Sequence, residues 1–287
     1  MVRLIFGCGY LGMRAARRWL AEPGEVFAVT RSSRRAAELE SEGIVPILAD
    51  VTRPDSLVGF PSADTVLYSI GYDPRGEASR EEVYVGGLQA ALAALPPEIG
   101  RLLYVSSTGV YGDSDGRPVD EDSPCRPNRE SGRAILAAEQ FLRQHPFSRR
   151  AIVLRLAGMY GPQRIPRIAD LRAGRPLNVP EGAHLNLIHV DDAVAAILAA
   201  ESRADPPAVY NICDGQPCSR RVFYRCLAGL LGQPEPQFVE LSREEAASQR
   251  AGADKQVLNA RMVADLGISL GYPSFREGLA AIVASID

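Results

Sequence analysis

The chain has 287 residues, 46% hydrophobic and 23% charged, enough for one large domain or one and a half. Lys+Arg 32 against Asp+Glu 35 leaves a net charge of −3, so no basic field exists to hold nucleic acid. Three histidines exclude a histidine-rich metal site, and five cysteines without paired spacing point to reduced thiols with no bound metal.

The first element is an apolar strand, Val2–Phe6, followed at once by Gly7-Cys8-Gly9-Tyr10-Leu11-Gly12 and a helical pattern over Leu11–Ala21. This order is what a dinucleotide phosphate cradle requires. Gly7 permits the tight turn out of the strand, Gly9 lets backbone approach a pyrophosphate, and Gly12 lets helix pack closely on strand. The helix then aims its unpaired N–H groups and positive dipole end at the phosphates.

Further strands are expected at Glu25–Thr30, Ile44–Ala49, Thr65–Ser69, Arg101–Ser106, Ala151–Leu156 and Ala208–Ile212. Helical stretches fall between them near Ser33–Glu42, Arg80–Leu95, Glu130–Gln144 and Asp192–Glu201. Alternating β and α segments with continuously apolar strands predict an α/β fold, a Rossmann-type doubly wound parallel sheet with helices on both faces. After Gly161 the texture changes: Pro162–Gly182 is punctuated by proline and glycine, and the stretch from Cys218 mixes helices with short extended pieces. The expected domains are therefore a nucleotide-binding Rossmann domain, 1–156 plus 186–213, and a smaller interleaved C-terminal α/β substrate lobe, 157–185 plus 214–287. The first apolar run is too short and too glycine-broken for a signal peptide, and no run approaches the roughly 18 residues of a membrane span. A cytoplasmic protein that meets neither membrane nor nucleic acid is expected.

In such a fold an acidic residue near the end of the second strand receives the ribose 2′-hydroxyl of NAD. Here that strand runs into Thr30-Arg31-Ser32-Ser33-Arg34-Arg35, with no acid in reach. A carboxylate would repel a 2′-phosphate, whereas Arg31 can pair with it bidentately. NADP is thus favoured over NAD, with Arg31 and Ser32 on the phosphate and Arg35 close by. The competing reading is a solvated helix start whose arginines hold nothing.

Four further stretches carry a resemblance: Leu103-Tyr104-Val105-Ser106-Ser107-Thr108-Gly109-Val110-Tyr111-Gly112, Leu154-Arg155-Leu156-Ala157-Gly158-Met159-Tyr160-Gly161-Pro162, Ile188-His189-Val190-Asp191-Asp192, and Tyr210-Asn211-Ile212-Cys213-Asp214-Gly215. Together and in this order they resemble the extended short-chain dehydrogenase/reductase superfamily, which contains the NAD-dependent epimerases and dehydratases. The resemblance runs from Val2 to about Gly278. It implies a Rossmann domain, a substrate lobe and a ligand cleft. It places Asp50 and Val51 at the adenine, and Gly71 in the turn after the fourth strand where backbone passes the cofactor. It also implies a homodimer through the helices at Arg80–Leu95 and Glu130–Gln144, although their alanine-rich stripes equally suit burial against the sheet.

The superfamily resemblance implies a Ser or Thr, a Tyr, a Lys four residues later, and often an Asn. Ser107 matches the first. Ser131 and Ile135 stand at the Tyr and Lys positions, and Tyr84 at the Asn position. Ser131 and Ile135 still share a helix face, but a serine hydroxyl is too weak an acid for the task and isoleucine holds nothing. Ser107, at the carboxyl edge of a central strand, is the catalytic-site candidate, and Tyr111 shortly beyond it is the first replacement proton donor. Ser107 equally suits capping of the next turn, and Tyr111 equally suits packing with its hydroxyl satisfied. Tyr84 and Tyr160 follow as weaker donors.

Three functions remain. The first is an NADP-dependent oxidoreductase or epimerase acting on a small carbonyl or hydroxyl substrate with a degenerate catalytic tetrad. The second is a catalytically silent NADP(H)-binding sensor. A nucleotide-sugar epimerase or dehydratase is third, since Thr108-Gly109 stand where sugar-nucleotide dehydratases of this kind carry Asp-Glu, and Leu185-Asn186 where many epimerases carry Arg-Asp.

Overall fold

A computed structural model describes residues 1–112, 115–239 and 253–285. Strands β1 (Val2–Phe6), β2 (Glu25–Thr30), β3 (Val45–Leu48), β4 (Thr65–Tyr68), β5 (Arg101–Ser107), β7 (Ala151–Leu156) and β11 (Ala208–Ile212) form one parallel sheet. Its order is β11-β7-β5-β4-β1-β2-β3. The order reverses between β1 and β4, and ligands of doubly wound sheets bind outside the carboxyl ends of the strands at such a switch point. The expected fold class holds, and the bounds of β1, β2, β7 and β11 coincide with those read from the sequence.

The chain divides into two units. The first comprises Met1–Val110, Arg129–Arg155 and Val194–Tyr210 and carries the sheet. Its helices are α1 (Tyr10–Leu20), α2 (Ser33–Ser41), α3 (Gly87–Ala94) and α4 (Glu130–Gln144), with α6 (Val190–Arg203) entering from the second unit. Helix α1 buries Leu11, Ala15 and Trp19, the four-residue spacing that puts one apolar stripe on the sheet. The Trp19 indole N–H donates to Glu201 at 2.7 Å, and the same carboxylate accepts from the buried Arg3 guanidinium at 2.9 Å. The buried Trp19 and Arg3 side chains thus share one carboxylate partner. Leu88, Ala91 and Leu92 of α3, with Ala138 and Leu142 of α4, belong to the core around Leu4, Phe6, Val66 and Tyr68.

One difference from the expected helix at Arg80–Leu95 stands out. Before α3 the chain makes a π turn over Glu82–Gly86, packed against α4. Hydrophobic periodicity cannot show an i→i+5 turn, because a single extra residue does not change which neighbours are apolar.

The second unit comprises Tyr111–Asn128, Leu156–Ala193 and Asn211–Asp287. Its described residues form three two-stranded sheets: β8 (Gly158–Tyr160) with β10 (Leu187–His189), β9 (His184–Leu185) with β12 (Cys218–Ser219), and β6 (Pro118–Val119) with β13 (Gln256–Val257). Its described helices include α5 (Ile168–Arg172), α7 (Arg220–Leu230), α8 (Ala260–Leu266) and α9 (Phe275–Ala284). Its core gathers Tyr160, Leu187, Phe223, Leu227, Phe275 and Leu279. A capping box at Ser274 and Glu277 starts α9, each side chain closing the other's backbone N–H. Among the described residues no helix is long and apolar enough to cross a membrane.

Candidate nucleotide-binding site

At the switch point the three loop glycines do three different things. Gly7 lies at φ +88, and a Cβ there would fall 2.6 Å from Ser69 O, so the turns after β1 and β4 close on one another. The Ser69 hydroxyl reinforces this by donating to Gly7 O at 3.0 Å. At Gly12 a Cβ would sit 2.5 Å from Gly7 O, which is the close approach of helix to strand. Gly9 faces open space, with nothing within 4 Å of a Cβ built on it. It also begins α1 without any side-chain cap. A helix start with no side-chain cap behind an open backbone fits a pyrophosphate, for which the first-turn N–H groups of Tyr10, Leu11 and Gly12 would be the donors. Cys8, in the same loop, is 8% exposed, and burial pushes its thiol up to about 11. It stays protonated and acts as filler.

Arg31 and Ser32 follow β2. Arg31 is exposed and meets Asp73 Oδ2 at 3.3 Å, a surface pair of small worth. The Ser32 hydroxyl accepts from Arg35 N at 3.3 Å, capping α2. Arg35 reaches the glycine loop itself, its guanidinium donating to Cys8 O at 3.3 Å. Asp50 accepts from Thr52 N at 2.9 Å and from Thr52 Oγ1 at 2.8 Å. Burial works to raise its carboxyl, but these bonds and the charges of Arg31 and Arg53 hold it below its ordinary value. Val51 is buried, and Gly87 of α3 packs so closely on it that a Cβ would fall 2.8 Å from its side chain. Gly71 faces open space like Gly9.

Ser107 ends β5 with its hydroxyl oxygen accepting from Gly109 N at 3.1 Å. That bond uses a lone pair and leaves the hydroxyl hydrogen for another acceptor. Beneath it, Ser106 donates to Glu139 of α4, and Glu139 holds Arg155 through bonds of 3.0 and 2.7 Å. This buried network fixes the edge of β5 against α4, the helix that carries Ser131 and Ile135.

The second unit engages most of the other polar residues in its own framework. Tyr111 is 2% exposed and its phenol donates to Asn211 Oδ1 at 2.7 Å, which commits the proton the sequence assigned to catalysis. Glu121 accepts from Asn211 N at 2.7 Å and is likewise a tie. His189 is 1% exposed, edge-on to Tyr160 and 3.8 Å centroid to centroid from Tyr272. The Asp192 carboxylate accepts from Gly271 N at 2.7 Å and Tyr272 N at 3.0 Å. His184 sets Nδ1 against Asp254 at 2.7 Å, and the amide of Asn186 bridges Lys255 O and Val257 N. Lys255 is the sole lysine of the chain; it is buried and donates to Gly112 O at 2.9 Å. A pairing across 143 residues leaves no local trace in the sequence. Among the described residues no group of three His, Cys, Asp or Glu side chains could hold a metal.

Protein YeeZ of Escherichia coli K12 is 31% identical over 276 residues, covering 94% of this chain and 95% of its own length. The structure of a functionally unknown conserved protein from Silicibacter pomeroyi DSS superposes with a TM-score of 0.81 at 30% identity, covering 100% of this chain and 99% of its own. DesIV of Streptomyces venezuelae, a dTDP-glucose 4,6-dehydratase solved with NAD and TYD bound, shares the fold with a TM-score of 0.80 at 21% identity, covering 99% of this chain and 96% of its own. The sequence profile of the NAD dependent epimerase/dehydratase family matches residues 4–213, and the chain belongs to that family.

Proposed function

We propose that this protein is an NADP-dependent oxidoreductase acting on a small carbonyl or hydroxyl substrate. The observation that carries the reading is the glycine cradle, open at Gly9 and without a side-chain cap on α1, beside a β2 end that holds Arg31 and Arg35 and no acid. NAD is named as a bound ligand in several solved structures that share this fold, DesIV among them. When bound, the dinucleotide supplies hydride donation and acceptance at its nicotinamide. The backbone N–H groups opening α1 hold its pyrophosphate. Arg31 exchanges its weak surface partner Asp73 for the 2′-phosphate, a doubly charged and bidentate acceptor. Arg35 adds positive charge beside the loop. Asp50, already ionised and braced by Thr52, accepts from the adenosine end, and Val51 walls it. Ser107 turns its hydroxyl hydrogen to the substrate oxygen while Gly109 N–H fixes the hydroxyl's direction.

The test is NADPH oxidation against a panel of small aldehydes and ketones by the wild type and by Ser107→Ala. Removing one oriented donor is expected to lower turnover by about tenfold to a thousandfold with NADPH affinity retained. Equal turnover by both would refute the role of Ser107.

A second reading, a silent NADP(H)-binding sensor, is favoured by one observation: Ser131 and Ile135 occupy α4 where the family's resemblance implies the Tyr–Lys pair. It requires tight NADPH binding without consumption of NADPH by any carbonyl. Steady turnover with one such compound excludes it.

A further inference from the structure

We propose that Tyr84 is the proton donor of this protein, taking the place of the tyrosine that Ser131 replaced; the inference rests on the oxidoreductase reading. Three observations place it. Tyr84 sits at the centre of the π turn Glu82–Gly86, which packs against α4, the helix that carries Ser131 and Ile135. Such turns displace side chains from the regular helical positions and recur at functional sites. The Tyr84 phenol oxygen accepts from Tyr72 N at 3.3 Å, so it stands against the loop that leaves β4 at the carboxyl edge of the sheet, one residue past the open Gly71. Tyr104 of β5 lies close by: its phenol is pushed well up, by burial first, and then by Tyr68, Glu139 and Tyr84 beside it. The phenol of Tyr84 thus stands against the loop after β4, which carries Gly71 and Tyr72.

The chemistry of the hydroxyl suits the task. By accepting from Tyr72 N it uses a lone pair and keeps its own hydrogen for a substrate. Tyr84 is half-buried, unlike Tyr111, whose hydrogen is committed to Asn211. As a substrate carbonyl carbon gains a hydride from a reduced nicotinamide, the C=O π pair moves onto oxygen. That oxygen takes the phenolic proton of Tyr84, giving the alcohol and a phenolate. The Tyr72 N–H remains on the phenolate and stabilises it, and water returns the proton. Arg80 lies 4.1 Å from the Tyr72 ring centroid and 3.7 Å from Glu130 at the start of α4, which ties the loop after β4 to that helix.

The test compares wild type with Y84F, using phenanthrenequinone, para-nitrobenzaldehyde and pyruvaldehyde as probe carbonyls with NADPH. The expected result for Y84F is a fall in kcat of at least about a hundredfold, the usual worth of a placed general acid, with NADPH affinity by fluorescence titration changed less than about twofold. Retained affinity also shows that the variant folds. Y84H, which restores an acid–base group, is expected to recover part of the loss. Independently of turnover, tetranitromethane is expected to nitrate Tyr84 in the free protein, and saturating NADPH to slow that nitration at least about tenfold. Y84F turning over like the wild type, or nitration of Tyr84 indifferent to NADPH, overturns the proposal. A wild type that binds NADPH but turns over none of the probes overturns the oxidoreductase reading and the donor role with it.

Discussion

Asp214 lies two residues beyond β11, in the second unit, and Asp214→Asn is expected to stabilise the protein at alkaline pH. The residue is 6% exposed, and while Gln216 N donates to Oδ1 at 2.9 Å, Oδ2 is buried with no hydrogen-bond partner. Burial first, and then the charges of Asp192 and Glu277, push its carboxyl up to about 7, against the pull of the Gln216 N–H. In the unfolded chain the same group releases its proton near the ordinary Asp value of about 4. Below that pH both states are protonated and the group is neutral to stability. Between about 4 and 7 the unfolded chain has lost a proton that the folded one keeps, so stability falls as pH rises. Above 7 both states are ionised and the full cost stands, about 4 kcal/mol at about 1.4 kcal/mol per pH unit. Asparagine carries no charge at any of these pH values. The advantage of the variant over wild type is therefore expected to widen by about 3 kcal/mol between about pH 5 and pH 8. Urea denaturation followed by far-ultraviolet circular dichroism measures it. A gap of the same size at both pH values, or a variant weaker than wild type at pH 8, would refute the reasoning.

Two glycine substitutions are expected to separate binding from folding. Gly12→Ala sets a Cβ 2.5 Å from Gly7 O and is expected to lower the melting temperature, whereas Gly9→Ala meets no protein atom within 4 Å and is expected to fold normally while losing at least about tenfold in NADPH affinity, because its methyl stands where phosphate approaches. Calorimetry and fluorescence titration read the two effects. Glu139→Gln leaves Arg155, bound at 3.0 and 2.7 Å, as a buried charge without its counterion. Breaking such a pair is expected to cost about 3 to 5 kcal/mol, on the order of 10 °C in Tm.

Much of the fold was legible because its signals are local. Continuous apolar runs marked the buried parallel strands, and the glycine spacing marked the switch point. Gly7, Gly9 and Gly12 each take the part their spacing implied, tight turn, open approach and close packing. What escaped the sequence is what depends on distant or aperiodic contacts. Tyr111 sits shortly beyond Ser107 in the chain, which made it the first proton donor to consider, yet its partner Asn211 lies 100 residues away. Asp192 binds the amides of Gly271 and Tyr272, which come from a loop about 80 residues on. The π turn gives no periodic signature, so Tyr84 could not be ranked above Tyr160 from the sequence. Arg35 reaches Cys8 O because α2 starts beside the glycine loop, a juxtaposition that only the sheet order creates.

The cradle and its arginines stand or fall on one titration: NADPH and NADH binding to the wild-type protein and to Arg31→Ala, followed by nicotinamide fluorescence. One charge-assisted pair on the 2′-phosphate is worth about 1.5 kcal/mol or more, about tenfold in affinity. Wild type is expected to bind NADPH at least about tenfold more tightly than NADH, and Arg31→Ala to remove most of that difference while leaving NADH affinity unchanged. Absence of NADPH binding, or NADH bound as tightly as NADPH by the wild type, would contradict it.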